Sequence, residues 1–445
     1  MEYFFGARQW LVPGLVAAVL SLLNTIGLGT PQYYIGAVEI FFCGISLSIP
    51  IGMYFFARLH FSEASARLAL VVGSVWYELV GFAHKPMTEF VSTGLVMILL
   101  ALCIRPNPGQ SQTVWAVALV GTLAAAVRFQ YTPVVGIIMG IFFLRTRKKL
   151  QLVLISAGFV LAIGVFDGFS WGRGLFHSYL TNFKFNIAVS AGLADQSPPW
   201  QYLVWVVLAS AGLSLITVVV AMATGSFRRY GFLLGLMALL LVLHSMSNHK
   251  EYRFIFAIIP LWLMIAADCC ARINKIVPKV VAVLFSAMSL LGILNYLPYQ
   301  HVLYRAHSNE TGIVHFIRDN DPIFATYRYL SSEPDVSGIW LADRPYFNSG
   351  GYYFLHKKIP FYDSHSIIIT AEEGASFPGY ILTKQFDTIK ILRRSDDATP
   401  VRTWRTYNPI LVTETGGLEA VIKSFDSNAL PAPQTLGIQF ADDLD

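Results

Sequence analysis

Charge is what this sequence has least of. Asp, Glu, Lys and Arg make up 13% of its 445 residues, against 55% hydrophobic types. Soluble globular chains carry about 25% charged residues. A shortfall of this size excludes an ordinary water-soluble fold and points to a membrane protein. Cysteine is scarce too. Cys43, Cys103, Cys269 and Cys270 all lie in apolar runs. They have neither metal-ligand spacing nor a disulfide pattern, so buried free thiols are expected. The formal net charge of +5 is too small over this length to argue for nucleic acid. No internal repeat or low-complexity tract is present, and "MEYFFGARQW", opening at Met1, lacks the basic n-region of a cleavable signal peptide.

Long apolar runs are what the sequence has in abundance. A transmembrane helix needs about 20 mostly apolar residues. Spans are expected at 36–57, 64–83, 88–104, 113–127, 132–145, 150–166, 202–224, 231–247, 254–271 and 279–297. Segment 9–28 is apolar as well, but Pro13 and Gly14 near its start suit an interfacial helix. Counting from 36–57, every second loop is basic: Arg58 and Arg67; Arg105; "RTRKK" at 145–149; Arg228 and Arg229; Arg272, Lys275 and Lys279. The positive-inside rule puts those loops in the cytoplasm. Loops 84–89, 128–133, 167–201 and 249–254 then face the other side. After Pro298 the chain gains charge, turn residues and short β-rich runs such as "SGIWLAD" and "PGYILT". The expected fold class is an α-helical polytopic membrane protein with a soluble domain. Residues 1–298 supply about ten transmembrane helices plus the interfacial helix, and 299–445 a non-cytoplasmic soluble α/β domain.

The stretch "SNHKEYRFIFA" puts His249, Lys250, Glu251 and Arg253 within five positions, between two apolar runs. A lone Lys or Arg at a span end is ordinarily an anchor. A cluster of ionisable groups there is costly unless paired, hydrated or turned to a cavity, and so marks a functional site. Read as a helix, the stretch puts His249 and Arg253 on one face and Lys250 on the next, with Glu251 elsewhere. Two adjacent cationic faces suit a phosphate-bearing ligand. Glu251 is expected to orient Lys250 or Arg128. In 166–203, rings including Trp171, Phe183 and Trp200 alternate with Asp167, Asn182 and Asn186. This is either an aromatic belt or a sugar site, where rings stack on C–H faces and amides bond hydroxyls. Arg128 in "AVRFQYTP", and His84, Lys85 and Glu89 in "HKPMTEF", each read singly as span-end anchors. Four charged loops on one side together imply a shared polar cavity.

"SMSNHKEYRFI" at 245–255, with Pro260 beyond it, resembles the His-Lys-Glu-x-Arg-Phe signature of the dolichyl-phosphate-mannose-dependent α-mannosyltransferases. These have the class C glycosyltransferase fold and build lipid-linked oligosaccharides and glycosylphosphatidylinositol (GPI) anchors. The likeness is greatest to the branch that adds the third GPI mannose. "NFKFN" at 182–186 is similar to the family's Asn/Phe-rich luminal loop, with Asp167 and "PPW" ending at Trp200 on its acidic and Pro-Trp positions. Arg128 matches the arginine after the fifth span. "EYFFGARQWLVPGL" matches through Glu2, Gly6, Arg8 and Pro13, and the likeness covers about residues 2–270. The family's acidic motif, His-Pro-Asp-Glu-like, precedes the segment matching Glu2. The family's presumed base is therefore expected upstream of Met1, outside this sequence.

The resemblance implies an inverting transfer of mannose from a polyprenyl (dolichyl) phosphate to a lipid-linked glycan such as a GPI precursor. The leaving phosphate is already an anion and needs cations more than a general acid. His249, Lys250, Arg253, Arg128 and Arg8 are the candidate phosphate contacts, Arg8 being equally readable as an interfacial anchor. Glu251 is an orienting residue. Asn182, Asn186 and Trp200 are candidate sugar or acceptor contacts, and Asp167 is the further acid to weigh as a base. No cofactor or metal is expected. The expected partners are the polyprenyl-phosphate donor, the glycan acceptor and membrane lipid, in the endoplasmic reticulum or a bacterial inner membrane. Two alternatives stand beside this: a same-fold transferase with another sugar or acceptor in a bacterial envelope, and a non-catalytic membrane transporter or scaffold.

Overall fold

The structure, a computed structural model, describes residues 9–188, 198–223, 227–246, 250–273, 276–293, 322–342, 351–357, 359, 366–374 and 376–395, without the side chains of 185–188, 223, 227, 292–293 and 351–352. The first part is helical: α1 (Leu11–Thr25), α2 (Pro31–Ser46), α3 (Ser48–His60), α4 (Glu63–Val75), α5 (Tyr77–Phe82), α6 (Thr88–Cys103), α7 (Ser111–Val127), α8 (Thr132–Arg145), α9 (Lys149–Trp171), α10 (His177–Ala188), α11 (Gln201–Ala209), α12 (Leu213–Ala223), α13 (Phe227–Ser245), α14 (Ile258–Ala271) and α15 (Val277–Ile293). The second part holds α16 (Pro322–Ser332), β1 (Ile339–Leu341), α17 (Gly351–Leu355), β2 (Ile367–Thr370), β3 (Tyr380–Phe386) and β4 (Ile389–Arg394).

Among the described residues, three helices are long and apolar enough to cross a membrane: Pro31–His60, Lys149–Trp171 and Arg228–Ser245. A bent pair, Gln201–Ala209 with Leu213–Met222, makes a fourth if it counts as one span. Shorter apolar helices, α1, α6, α7, 129–145, α14 and most of α15, accompany them. α1 has 15 residues. At 1.5 Å per residue it reaches about 22 Å, short of a hydrocarbon core of about 30 Å.

Three expected elements differ. The run 202–224 is not one helix: its halves meet at 101°, where Ala211 and Gly212 have φ of 48° and 81°. Glycine tolerates that left-handed turn. The carbonyls it frees are still satisfied, by Tyr77 Oη donating to Ala209 O at 2.8 Å and Ser210 Oγ to Val206 O at 2.8 Å. The run 64–83 breaks at Trp76 (φ −59°, ψ 124°), between α4 and α5. The expected loop 167–201 is partly helical, because α9 continues to Trp171 and α10 follows. Gly172, at φ 58°, ends α9 in the left-handed conformation usual for a helix terminus.

The core sits on α14, whose residues Ile258 to Asp268 are all buried. α3 and α6 pack closely because Gly52 has no side chain; a Cβ there would meet the Met97 backbone carbon at 2.6 Å. The basic loops do gather at one end. Asp268 of α14 accepts from Arg229 Nε at 2.6 Å and Nη2 at 2.9 Å, from Tyr230 Oη at 2.7 Å and from Ser65 Oγ at 2.7 Å, tying α4, α13 and α14 together. At the same end Arg145 donates to the Arg105 carbonyl at 3.2 Å and Thr146 Oγ1 to the Pro108 carbonyl at 2.9 Å.

The second part is a mixed sheet in the order β1-β2-β4-β3, with β1–β2 parallel and the other pairs antiparallel. β1 and β3 fall in the two runs read as β-rich. Ile323, Tyr327 and Leu330 of α16 pack on Ile339, Ile367 and Ile391 to make a separate core. It meets the helical part where Tyr34 Oη donates to the Tyr353 carbonyl. Residues 299–321 and 396–445 of the expected domain lie outside the described residues.

Candidate functional site

The candidate site lies at the end opposite the basic loops, and Glu89 stands at the centre of its charged cluster. This residue stands in the first turn of α6, where the helix dipole favours an anion. Arg128 caps the end of α7, and its Nη1 lies 2.9 Å from Glu89 Oε1, with each side chain only 5% exposed. Arg253 Nε lies 3.7 Å from the same oxygen and 2.5 Å from Glu251 Oε2. One buried carboxylate thus stands between two arginines. Glu89 Oε2 accepts from Thr88 Oγ1 at 3.0 Å. The Phe254 ring lies 4.7 Å from Arg128 Cζ and 5.8 Å from Arg253 Cζ, within cation–π range of both.

The signature is positioned by its turn. Glu251 is extended (φ −130°, ψ 137°), and Tyr252–Ile255 form a 3-10 turn. The helical reading that put His249 and Arg253 on one face is therefore corrected for the described residues 250–255: a 3-10 turn eclipses residues three apart. Tyr131 Oη donates to the Phe254 carbonyl at 3.2 Å and accepts from Ala257 N at 3.3 Å, fixing the turn to the start of α8. Lys250 is buried, with Nζ 5.9 Å from the Tyr202 ring. Burial lowers its pKa below the ordinary lysine value. Arg253, 40% exposed, is the more open cation.

Other expected residues sort by geometry. Glu251 pairs with Arg253, and the carboxylate on Arg128 is Glu89, which corrects the expectation for Arg128. Asp167 is fully buried and accepts from Ser178 N at 2.8 Å and from Ser178 Oγ. That is the geometry of an anchor holding α10 to α9, not of a base facing a cavity. Asn182 lies on α10, not in a loop, and its Oδ1 accepts from Gln130 Nε2 at 3.5 Å, two residues from Arg128. Asn186 lies on the same helix, its side chain outside the described residues. Trp200 is 65% exposed, and the buried ring nearest it in sequence is Tyr202. Arg8 and His249 lie outside the described residues. So does Met1, the residue before which the family's base was expected; the described chain starts at Gln9. Gln9 donates from Nε2 to the Val127 carbonyl at 3.3 Å, bringing the start of α1 beside Arg128.

Sequence reading gave Glu89 no role of its own beyond an anchor in one of four charged loops around a shared cavity, and passed over His244. His244 is buried on α13, its ring 6.1 Å, 6.3 Å and 6.4 Å from those of Tyr131, Tyr202 and Phe254. Its Nδ1 lies 2.9 Å from the Leu240 carbonyl, which only accepts, so Nδ1 carries the proton. Its Nε2 and Arg128 Nε are buried without a hydrogen-bond partner among the described residues. Such orphan atoms call for a water, ion or ligand. The available signal was weak: one acid at a helix start and one His in an apolar run.

A model of the Alg9-like mannosyltransferase family matches residues 1–320. The chain belongs to that family. Among curated relatives of this Alg9-like chain is GPI alpha-1,2-mannosyltransferase 3 of Danio rerio, 27% identical over 287 residues, 61% of this chain and 52% of the relative. The chain thus spans about half the length of the curated relative it matches. ArnT from Cupriavidus metallidurans, solved bound to undecaprenyl phosphate, matches with TM-score 0.59 at 9% identity over 88% of this chain and 89% of that one. Apo ArnT matches with TM-score 0.52 at 11% identity over 83% and 85%. At such identity the likeness is one of fold alone, and that fold is the class C glycosyltransferase fold expected from the signature.

Proposed function

We propose that this Alg9-like chain is an inverting glycosyltransferase that moves mannose from a polyprenyl phosphate to a lipid-linked glycan. The observation that carries the proposal is the Glu89–Arg128–Arg253 arrangement. Two guanidiniums share one carboxylate oxygen at 2.9 Å and 3.7 Å, with Arg253 half open to solvent and Lys250 three residues before it. A phosphate arriving there meets preorganised cations, and the charge it gains as the glycosyl bond breaks is stabilised without reorganisation. Lys250 adds a cationic contact, and His249 and Arg8, outside the described residues, are the further cations assigned to the phosphate. Glu251 holds Arg253. Asn182, Asn186 and Trp200 serve the sugar or acceptor. Both carboxylates at this cluster are committed to arginines, so the group that activates the acceptor hydroxyl is a separate one.

Several finer readings belong to the proposal. The donor is dolichyl phosphate mannose and the acceptor a GPI-type precursor. The protein is an integral multi-pass membrane protein with its helical part ending near residue 298. Its C-terminal α/β unit lies on the non-cytoplasmic side. The likeness in fold to a protein solved with undecaprenyl phosphate supports a polyprenyl-phosphate donor. The test is transfer from dolichyl and undecaprenyl phosphate sugars by purified protein. Arg253→Ala is expected to abolish transfer while insertion and yield stay normal; retained turnover at parental donor concentration sinks the proposal.

A further inference from the structure

A polar cavity whose lining includes no residue of the Glu89 cluster lies where the first long apolar helix meets the α/β unit. Its volume is about 330 Å³, and it is lined by Thr30, Pro31 and Gln32 at the start of α2, by Arg328 and Ser331 of α16, and by His356 after α17. No carboxylate is among these lining residues. Arg328 is exposed, and among the described residues its guanidinium has no recorded acid partner. An arginine in a concave polar site with no acid beside it is a site for an anion.

The histidine is held in place by Tyr34. Tyr34 Oη spends its one proton on the Tyr353 carbonyl and lies 3.5 Å from His356 Nδ1. In that contact Nδ1 is therefore the donor. Gln32 and Thr30 add neutral donors at the rim. His356 also holds a left-handed backbone (φ 56°), unusual outside glycine. The cavity opens where α2 becomes apolar, so its ligand meets the protein at the membrane surface if α2 spans.

We propose that this cavity binds the phosphate ester of an amphiphile, through Arg328, as a site separate from the donor-phosphate site. Two sources carry this chemistry: a bilayer phospholipid headgroup and a phosphate-substituted lipid-linked glycan. The location rests on α2 entering the membrane, but the binding test does not depend on transferase activity.

The test uses the purified full chain in detergent, titrated with dihexanoyl phosphatidylethanolamine and with O-phosphoethanolamine and read by calorimetry. Arg328→Gln is expected to weaken binding of both about tenfold or more, as loss of a charge-assisted contact does. Ser331→Phe, which fills the cavity and keeps Arg328, is expected to do the same. Arg253→Gln serves as the control and leaves this binding within twofold. Binding unchanged in both Arg328→Gln and Ser331→Phe, or lost in Arg253→Gln, overturns the proposal. The two sources separate by kinetics. If the phosphate belongs to the glycan, Arg328→Gln raises KM for the acceptor and not for the donor. If it belongs to the bilayer, transfer is unchanged and co-purified phospholipid falls.

Discussion

Removing the charge of Glu89 is the sharpest single perturbation of this structure. Glu89→Gln keeps the shape but leaves the Arg128 guanidinium, 5% exposed, without its carboxylate at 2.9 Å. Breaking one side of a buried ion pair costs about 3–5 kcal/mol, because the remaining charge stays desolvated. At the lower end of about 2–4 °C per kcal/mol, suited to a large chain, Tm falls by about 6–10 °C. Arg128→Met is expected to cost less, about 1–3 kcal/mol, because Glu89 retains Arg253 at 3.7 Å. The double variant removes both charges and should melt above Glu89→Gln alone, with a coupling of at least about 1 kcal/mol. The assay is residual monodisperse protein by size exclusion after heating in detergent. If Glu89→Gln melts within about 2 °C of the parent, or the double variant is worse than the two singles added, the buried-pair reasoning fails.

Three further outcomes follow from the same geometry. Asp167→Asn should keep transfer within a few fold and lower Tm modestly, about 1–3 kcal/mol for a buried charged hydrogen bond; complete loss of transfer at a normal Tm would instead make Asp167 a catalytic group. Asp268→Ala strips Arg229 of both contacts at 2.6 Å and 2.9 Å, so it should cost about 3–5 kcal/mol, against about 1 kcal/mol for Tyr230→Phe, in the same melting assay. Burial lowers the Lys250 pKa, so its charge is lost at a pH below the ordinary lysine range. Donor affinity should therefore fall as pH rises through that lowered value, and Lys250→Arg should abolish the fall in a titration of donor binding. Folding stability moves the opposite way, rising with pH across that window, because the unfolded chain holds the proton more tightly.

Much of the architecture was legible because hydropathy and charge are one-dimensional properties. Apolar length marks the helices, and the alternation of basic loops sorts them by end; contacts such as Arg145 with the Arg105 carbonyl agree with that sorting. β1 and β3 were legible from short β-rich runs between turn residues. The breaks at Trp76 and Gly212 were not. Each depends on a partner from elsewhere in the chain: Trp76 buries against Trp262 of α14, and Tyr77 satisfies the Ala209 carbonyl. Local composition still reads as an unbroken apolar run.

The cationic signature, by itself, pointed to residues 249–253 as a candidate site suited to a phosphate-like anion. Its motif also carried the family, since the residue types needed to hold a leaving phosphate are few. Which carboxylate faces which arginine was decided only by the tertiary structure. Glu89 reaches Arg128 across 39 residues and Arg253 across 164, distances in sequence that no periodicity relates. The same folding turned Asp167 from a candidate base into an anchor for Ser178. Ion-pair choice depends on burial and on a separation of a few ångströms, and both exist only once the helices have packed.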